Sequence, residues 1–207
     1  GNKTLTVCVT AGVTYYVIVD SWPLPTCNAY TINISTPVGG GAPANDLPCN
    51  AEALTLGVQA AGNNSCTSAT GEPGVPSCWS TGIRNTVWYS VVAPASGQLK
   101  IRTFPTNSGS PLQNPQIAVY TGTCGPGMTF VACNDNAPAC GGYTQFYSNL
   151  SLTGLTPGQT YFIVVDGNAN SVGTFEIVAI DGLQNFPNVP GQDCTPALPV
   201  CNATMTT

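Results

Sequence analysis

The stretch Thr156-Pro-Gly-Gln-Thr-Tyr-Phe-Ile-Val-Val-Asp166 decides the fold, because it occurs twice. Near the start of the chain stands Thr10-Ala-Gly-Val-Thr-Tyr-Tyr-Val-Ile-Val-Asp20, which matches it in kind at almost every position. Each copy is a Gly-containing turn followed by an aromatic and β-branched run that ends in Asp. That pattern is the signature of a buried strand entered through a tight turn. The offset from Asp20 to Asp166 is 146 residues, and a second pair of segments supports it. Pro43-Ala-Asn-Asp46 corresponds to Pro190-Gly-Gln-Asp193 at an offset of 147, each segment being followed by a Cys, Cys49 and Cys194. A repeat of this period has to be recognised before any other reading of a chain.

The repeat divides the sequence into three parts. Residues 1–37 read as the C-terminal strands of a preceding module, 38–183 as one complete module, and 184–207 as the start of a following one. The chain is expected to be a window on a longer tandem array. The competing expectation is that the terminal strands complete neighbouring subunits by strand exchange, as in a fibre.

Within the complete module the pattern is β throughout. Gln98-Leu-Lys-Ile-Arg-Thr103 alternates, which places Leu99 and Ile101 inward and Lys100 and Arg102 outward. Thr174 to Ile180 alternates likewise, with Phe175, Ile177 and Ala179 on one face, and Tyr30 to Ser35 repeats that pattern near the start. Thr86 to Val92, Gln116 to Thr121 and Tyr161 to Val165 read as central strands. The 23 Gly and 18 Pro cluster between these runs as turn signals, and no stretch sustains a 3.6-residue period. About eight short strands in a module of this size predict an all-β, antiparallel β-sandwich of jelly-roll type.

Composition removes whole classes of function. Lys and Arg total 4, Asp and Glu total 9, and there is no His, for a net charge of −5. Four cations cannot form the basic patch that phosphate contacts need, so nucleic acid and anionic membrane surfaces are excluded as partners. The absence of His removes the usual general base and the commonest zinc, copper and haem ligand. No apolar run approaches the roughly 20 residues of a membrane span, so direct membrane insertion is not expected. Ten widely spaced Cys without a close CxxC pair read as disulfides, which places the chain outside the cell. Spacing pairs Cys8 with Cys27, Cys66 with Cys78, and Cys124 with Cys133. It leaves Cys49, Cys140, Cys194 and Cys201 unassigned.

A family resemblance rests on the motifs Asn45-Asp-Leu-Pro-Cys49, Thr86-Val-Trp-Tyr-Ser90 and Val119-Tyr-Thr-Gly-Thr-Cys-Gly125. It continues through Ala132-Cys-Asn-Asp-Asn136, Leu155-Thr-Pro-Gly-Gln-Thr-Tyr161 and Gly173-Thr-Phe-Glu-Ile177. In order and spacing the module resembles the pre-peptidase C-terminal-like β-sandwich repeats of large secreted bacterial proteins, especially the Bacteroidetes type. The resemblance implies secretion, tandem arrangement and a role in attachment, spacing or ligand binding, and is far more specific for fold than for activity.

The candidate sites are few. Asn45, Asp46, Asn134, Asp135 and Asn136 are oxygen donors in loops, the ligand type that Ca²⁺ takes, and they form a calcium cage if the fold brings the two loops together. Trp22, in Ser-Trp-Pro, and Trp79, in a Gly- and Pro-rich loop beside Cys78, are the candidate ligand-binding aromatics. Asp20 and Asp166 read as strand-terminal turn formers. Ser and Thr are abundant, but no Gly-x-Ser-x-Gly elbow and no His activate them, so no catalytic residue is assigned and no enzymatic activity is expected. Asn-x-Ser/Thr sequons at Asn2, Asn33, Asn63, Asn149 and Asn202 would let glycans help to solubilise a surface with only 6% charged residues. The expected function is a structural and adhesive repeat module of a secreted bacterial surface protein or extracellular fibre, with neighbouring modules or subunits as partners. The alternatives are a carbohydrate- or protein-binding accessory module of a secreted hydrolase and a self-assembling filament subunit.

Overall fold

The computed structural model describes residues 3, 5, 7–9, 12–20, 29–35, 41–105, 110–136 and 147–184. The chain divides into two compact units, Gly1–Gly41 and Ala42–Thr207. In the second unit two 3-10 turns, Ala44–Asp46 and Pro48–Asn50, lead into nine strands among the described residues. These are β1 (Glu52–Ala53), β2 (Gln59–Asn63), β3 (Val87–Val92), β4 (Leu99–Pro105), β5 (Pro115–Thr121), β6 (Thr129–Asn134), β7 (Asn149–Leu152), β8 (Thr160–Gly167) and β9 (Thr174–Asp181).

The strands form two sheets, ordered β1-β3-β8-β5-β6 and β2-β9-β4-β7. All pairs are antiparallel except β1 with β3, where Glu52 and Ala53 run alongside Tyr89 and Ser90. The strands expected to be central are so: β3, β8 and β5 are consecutive inner strands of one sheet. Both faces of β5 are buried along Pro115–Tyr120, which is why Ile117-Ala-Val-Tyr120 runs apolar on successive positions instead of alternating. The chain is an all-β sandwich.

The main core lies between the sheets. Val87, Tyr89 and Val91 from β3, Ile117 and Val119 from β5, and Tyr161, Ile163 and Val165 from β8 face Leu99 and Ile101 from β4 and Phe175, Ile177 and Ala179 from β9. Tyr89 and Phe175 meet edge to face across the interface at 6.3 Å. Gly62 in β2 stands against this pair, and a Cβ there would lie 2.5 Å from the Tyr89 hydroxyl and on the Phe175 ring. No other residue allows β2 to close over the end of the core.

Two sequence expectations change at the outer faces. Arg102 does leave the core side of β4, but it is 6% exposed, with its guanidinium carbon 4.8 Å from the centre of the Phe104 ring. Its long apolar stem and flat cation pack on an outer face that also carries buried Val178 and Ile180, so outward does not mean solvated here. Trp79 is not at an exposed loop tip. It is 5% exposed and packs with Trp88, Ala118, Tyr120, Met128 and Val164 on the outer face of the five-stranded sheet. The segment between β2 and β3 thus acts as a third layer.

The disulfides follow that layer and not sequence proximity. Cys49 is joined to Cys124, with Cα atoms 5.1 Å apart, and Cys78 to Cys133, at 6.2 Å. The expected Cys66–Cys78 and Cys124–Cys133 pairs are therefore absent. In the β5–β6 hairpin Cys133 lies opposite Ala118, whereas Cys124 follows the end of β5, so the hairpin holds the two thiols well apart. Cys8 and Cys66 are also disulfide-bonded. Cys27, Cys140, Cys194 and Cys201 lie outside the described residues, as do Trp22 and residues 185–207.

In the first unit the described residues 13–20 and 30–35 form no paired strand, although both stretches were expected to be strands. Their apolar side chains are open to solvent, Tyr16 at 89%, Ile18 at 91% and Ile34 at 87%. Among the described residues no helix is long and apolar enough to cross a membrane.

Candidate functional site

The polar chemistry of the second unit gathers at the end of the five-stranded sheet where β3 begins and β8 ends. Asp166, the last apolar-run residue's neighbour in β8, is fully buried. Its Oδ2 accepts the Arg84 N–H at 2.8 Å, and its Oδ1 accepts the Asn85 N–H at 3.0 Å and its neighbour Gly167 N–H at 2.7 Å. Burial pushes this carboxyl up, against the pull of the three N–H donors. The expected turn-forming Asp is therefore a clasp that closes the entry to β3 onto the exit of β8.

Asn64, also fully buried, makes the matching clasp from the other side. Its amide donates to Asn85 O at 2.9 Å and Ser171 O at 3.2 Å, and its carbonyl oxygen accepts the Gly173 N–H at 2.8 Å. Asn45 donates to Trp88 O at 2.9 Å, and Asp46 Oδ1 accepts the Ser68 N–H at 2.7 Å.

Glu72 reaches inward from the covering segment. Its Oε1 accepts from the Thr86 hydroxyl at 2.6 Å and from Trp88 Nε1–H at 2.9 Å, while Oε2 is buried with no hydrogen-bond partner. Burial pushes this carboxyl up to about 7, and Asp166 and Asp46 push the same way. The hydrogen-bond count agrees. The Thr86 hydroxyl carries one proton but has two acceptors, Glu72 Oε1 and Ser68 O at 3.0 Å. A proton on Glu72 supplies the missing donor.

The five residues expected to share a calcium ion are not brought together. Asn45 and Asp46 sit beside β3, and Asn134 ends β6, with β8 and β5 between them. Three strand spacings amount to about 14 Å, far beyond one coordination shell. Asn134 is instead used locally: its Oδ1 accepts the Asn149 N–H at 3.0 Å, and its amide donates to Asn136 O. Among the described residues no group of three or more Cys, Asp or Glu has a metal-binding arrangement.

A cleft of about 670 Å³ opens where the edges β1 and β2 meet, with Asn45, Asn50, Glu52, Asn63 and Tyr89 on its walls. Glu52 is the only carboxylate among the residues lining it, so it offers polar amides and one charge, not the carboxylate pair of a glycosidase. Sequence reasoning did not single out Glu72 or Asn64. Neither stands in a motif, and their roles arise only once the covering segment lies on the sheet.

No family model matches the chain, and no curated protein matches it. Solved structures that are similar to it include the pre-peptidase C-terminal domain of a collagenase from Bacillus anthracis. That domain is 12% identical with a TM-score of 0.37, over 62% of this chain and 93% of that one. Another is CorA, a surface-associated copper-binding protein important in copper acquisition in Methylomicrobium album BG8. It is also 12% identical, with a TM-score of 0.40, over 63% of this chain and 97% of that one.

Proposed function

We propose that the chain is a non-catalytic structural module of a secreted, tandemly repeated bacterial surface protein or extracellular fibre, of the pre-peptidase C-terminal-like type. The observation that carries this reading is the repeat. Thr156–Asp166 forms the turn and the central strand β8 with its terminal clasp, and the same eleven-residue pattern recurs at Thr10–Asp20. A segment with that role belongs inside a sandwich, so its second copy speaks for a second sandwich. The disulfides, which stitch the covering layer and the turn before β1 to the five-stranded sheet, suit a protein without cellular repair. Asp166 and Glu72 also support a structural role, since the Asp166 oxygens accept from backbone N–H groups and Glu72 Oε1 accepts from Thr86 and Trp88. Attachment to a glycan or protein would use the cleft between β1 and β2, whose amide-rich wall favours a polar ligand. An antiserum against residues 42–184 tests the location: it should label the outside of intact cells or the medium, and label confined to the cytoplasm would overturn the proposal.

A further inference from the structure

Where β5 begins, β6 ends and β7 is about to start, four oxygens share one proton. Ser148, fully buried just ahead of β7, points its Oγ at three backbone carbonyls. These are Pro115 O at 2.7 Å, Asp135 O at 2.9 Å and Asn134 O at 3.0 Å. A hydroxyl carries one proton, which serves one of these acceptors well. The other carbonyls then face its lone pairs, an unfavourable arrangement away from water. The same loop supplies a further oxygen without a donor: Asp135 Oδ1 is buried and has no hydrogen-bond partner.

The cluster is held in place from both sheets. Thr103 of β4 grips Ser148 twice, its N–H donating to Ser148 O and its Oγ1 accepting the Ser148 N–H, both at 3.1 Å. The Asn134 side chain ties the end of β6 to β7, accepting the Asn149 N–H at 3.0 Å and donating to Asn136 O at 3.2 Å. The oxygens are therefore positioned by the strands and not by the hydroxyl proton between them.

Oxygen crowding of this kind is what a hard cation produces. Neighbouring ligands of a pentagonal-bipyramidal Ca²⁺, at Ca–O distances of about 2.3–2.6 Å and about 72° apart, lie about 2.7–3.1 Å from one another. The three distances at Ser148 fall within that interval. Backbone carbonyls with a carboxylate are Ca²⁺ ligands, whereas Mg²⁺ keeps several of its waters. We propose that Pro115 O, Asn134 O, Asp135 O, Ser148 Oγ and the Asp135 carboxylate bind one Ca²⁺. The ion joins β5 and β6 of one sheet to the lead-in of β7 in the other. Asn45 and Asp46 take no part, so this is a different site from the cage expected from the sequence. It stands whether or not the chain is one module of several. A single carboxylate is a low charge count, which sets the affinity in the range of about 10⁻⁴–10⁻³ M typical of extracellular modules.

The test uses the full-length, disulfide-bonded chain, treated with a chelator and titrated with CaCl2 at about 0.15 M NaCl. Coordination polarises a carbonyl and shifts the N–H of the same peptide group. In amide NMR spectra the Gln116, Asp135 and Asn136 signals should therefore move together and saturate, with a midpoint of about 10⁻⁴–10⁻³ M. At about 10 mM CaCl2 the Tm should rise by about 3–10 °C, and the same concentration of MgCl2 should do far less. Asp135→Asn keeps the shape but not the charge and should raise the midpoint about tenfold or more. Asp46→Asn, beside β3, should leave it unchanged. Signals at 116, 135 and 136 that stay in place, or drift without saturating, would overturn the proposal. So would an equal response to MgCl2, or a midpoint that Asp135→Asn leaves unchanged.

Discussion

Glu72 makes the module less stable as the solution becomes more alkaline, opposite to the usual behaviour of a carboxylate. Its folded value of about 7 lies above the ordinary 4.5, so the folded state holds the proton more tightly than the unfolded chain does. The stabilisation is complete below about pH 4.5 and is lost as the pH rises through 7. The difference between 4.5 and about 7 corresponds to about 3.4 kcal/mol at 1.36 kcal/mol per pH unit. Glu72 is half-buried, and solvent screening reduces this to about 1–2 kcal/mol. Asp166, raised by burial, contributes with the same sign. Asp181, held down by the Ser96 hydroxyl and the Leu183 N–H, acts oppositely, but below the ordinary 3.8 and outside this window. Thermal melts of the intact disulfide-bonded protein between pH 5 and 8 should therefore show Tm falling by roughly 2–8 °C. Glu72→Gln removes the ionisable proton while its amide oxygen can still accept from Trp88 Nε1–H, and should flatten most of that slope. A wild-type Tm that is constant or rises across this range, or a Gln variant with the wild-type slope, would refute the argument.

Three further outcomes follow from the packing. Removing the Cys78–Cys133 bridge by a Ser pair opens a loop of 55 residues, and should lower stability by up to about 4 kcal/mol in urea titrations, with amides of the covering segment losing protection first. Gly62→Ala forces a methyl group onto Tyr89 and Phe175 and should cost about 1–3 kcal/mol, whereas Gly74→Ala, in open space, should cost far less in the same assay. Asn64→Ala leaves the Asn85 and Ser171 carbonyls and the Gly173 N–H without their partner, and should destabilise by about 2–4 kcal/mol in chemical denaturation.

The strands that fill the middle of the sheets were readable because their burial is written locally. β4 and β9 alternate toward one core, and β3, β5 and β8 are apolar on both faces because a layer covers each side. The turn and apolar run at 156–166 gave the strand, and its copy at 10–20 gave the period. What escaped the sequence depends on the covering segment between β2 and β3. That segment is rich in Gly, Pro and Ser, reads as a loop, and shows no period that announces a layer. Once it lies across the sheet, Trp79 becomes core, Cys78 meets Cys133 on a distant strand, and Glu72 enters a site where its proton is retained. The same distance in sequence defeated the pairing by proximity and the calcium cage, whose donors are adjacent in neither sheet nor loop. Arg102 shows a subtler limit: alternation tells which face a residue takes, not whether that face is wet.

The central claim is that the sandwich is one module among several in a longer secreted polypeptide. The mass of the native protein, isolated from its source and measured under denaturing conditions before and after reduction, tests it most directly. The account predicts a mass several times 21.2 kDa that reduction leaves unchanged. A mass near 21.2 kDa, or one that falls to that value on reduction, would contradict it.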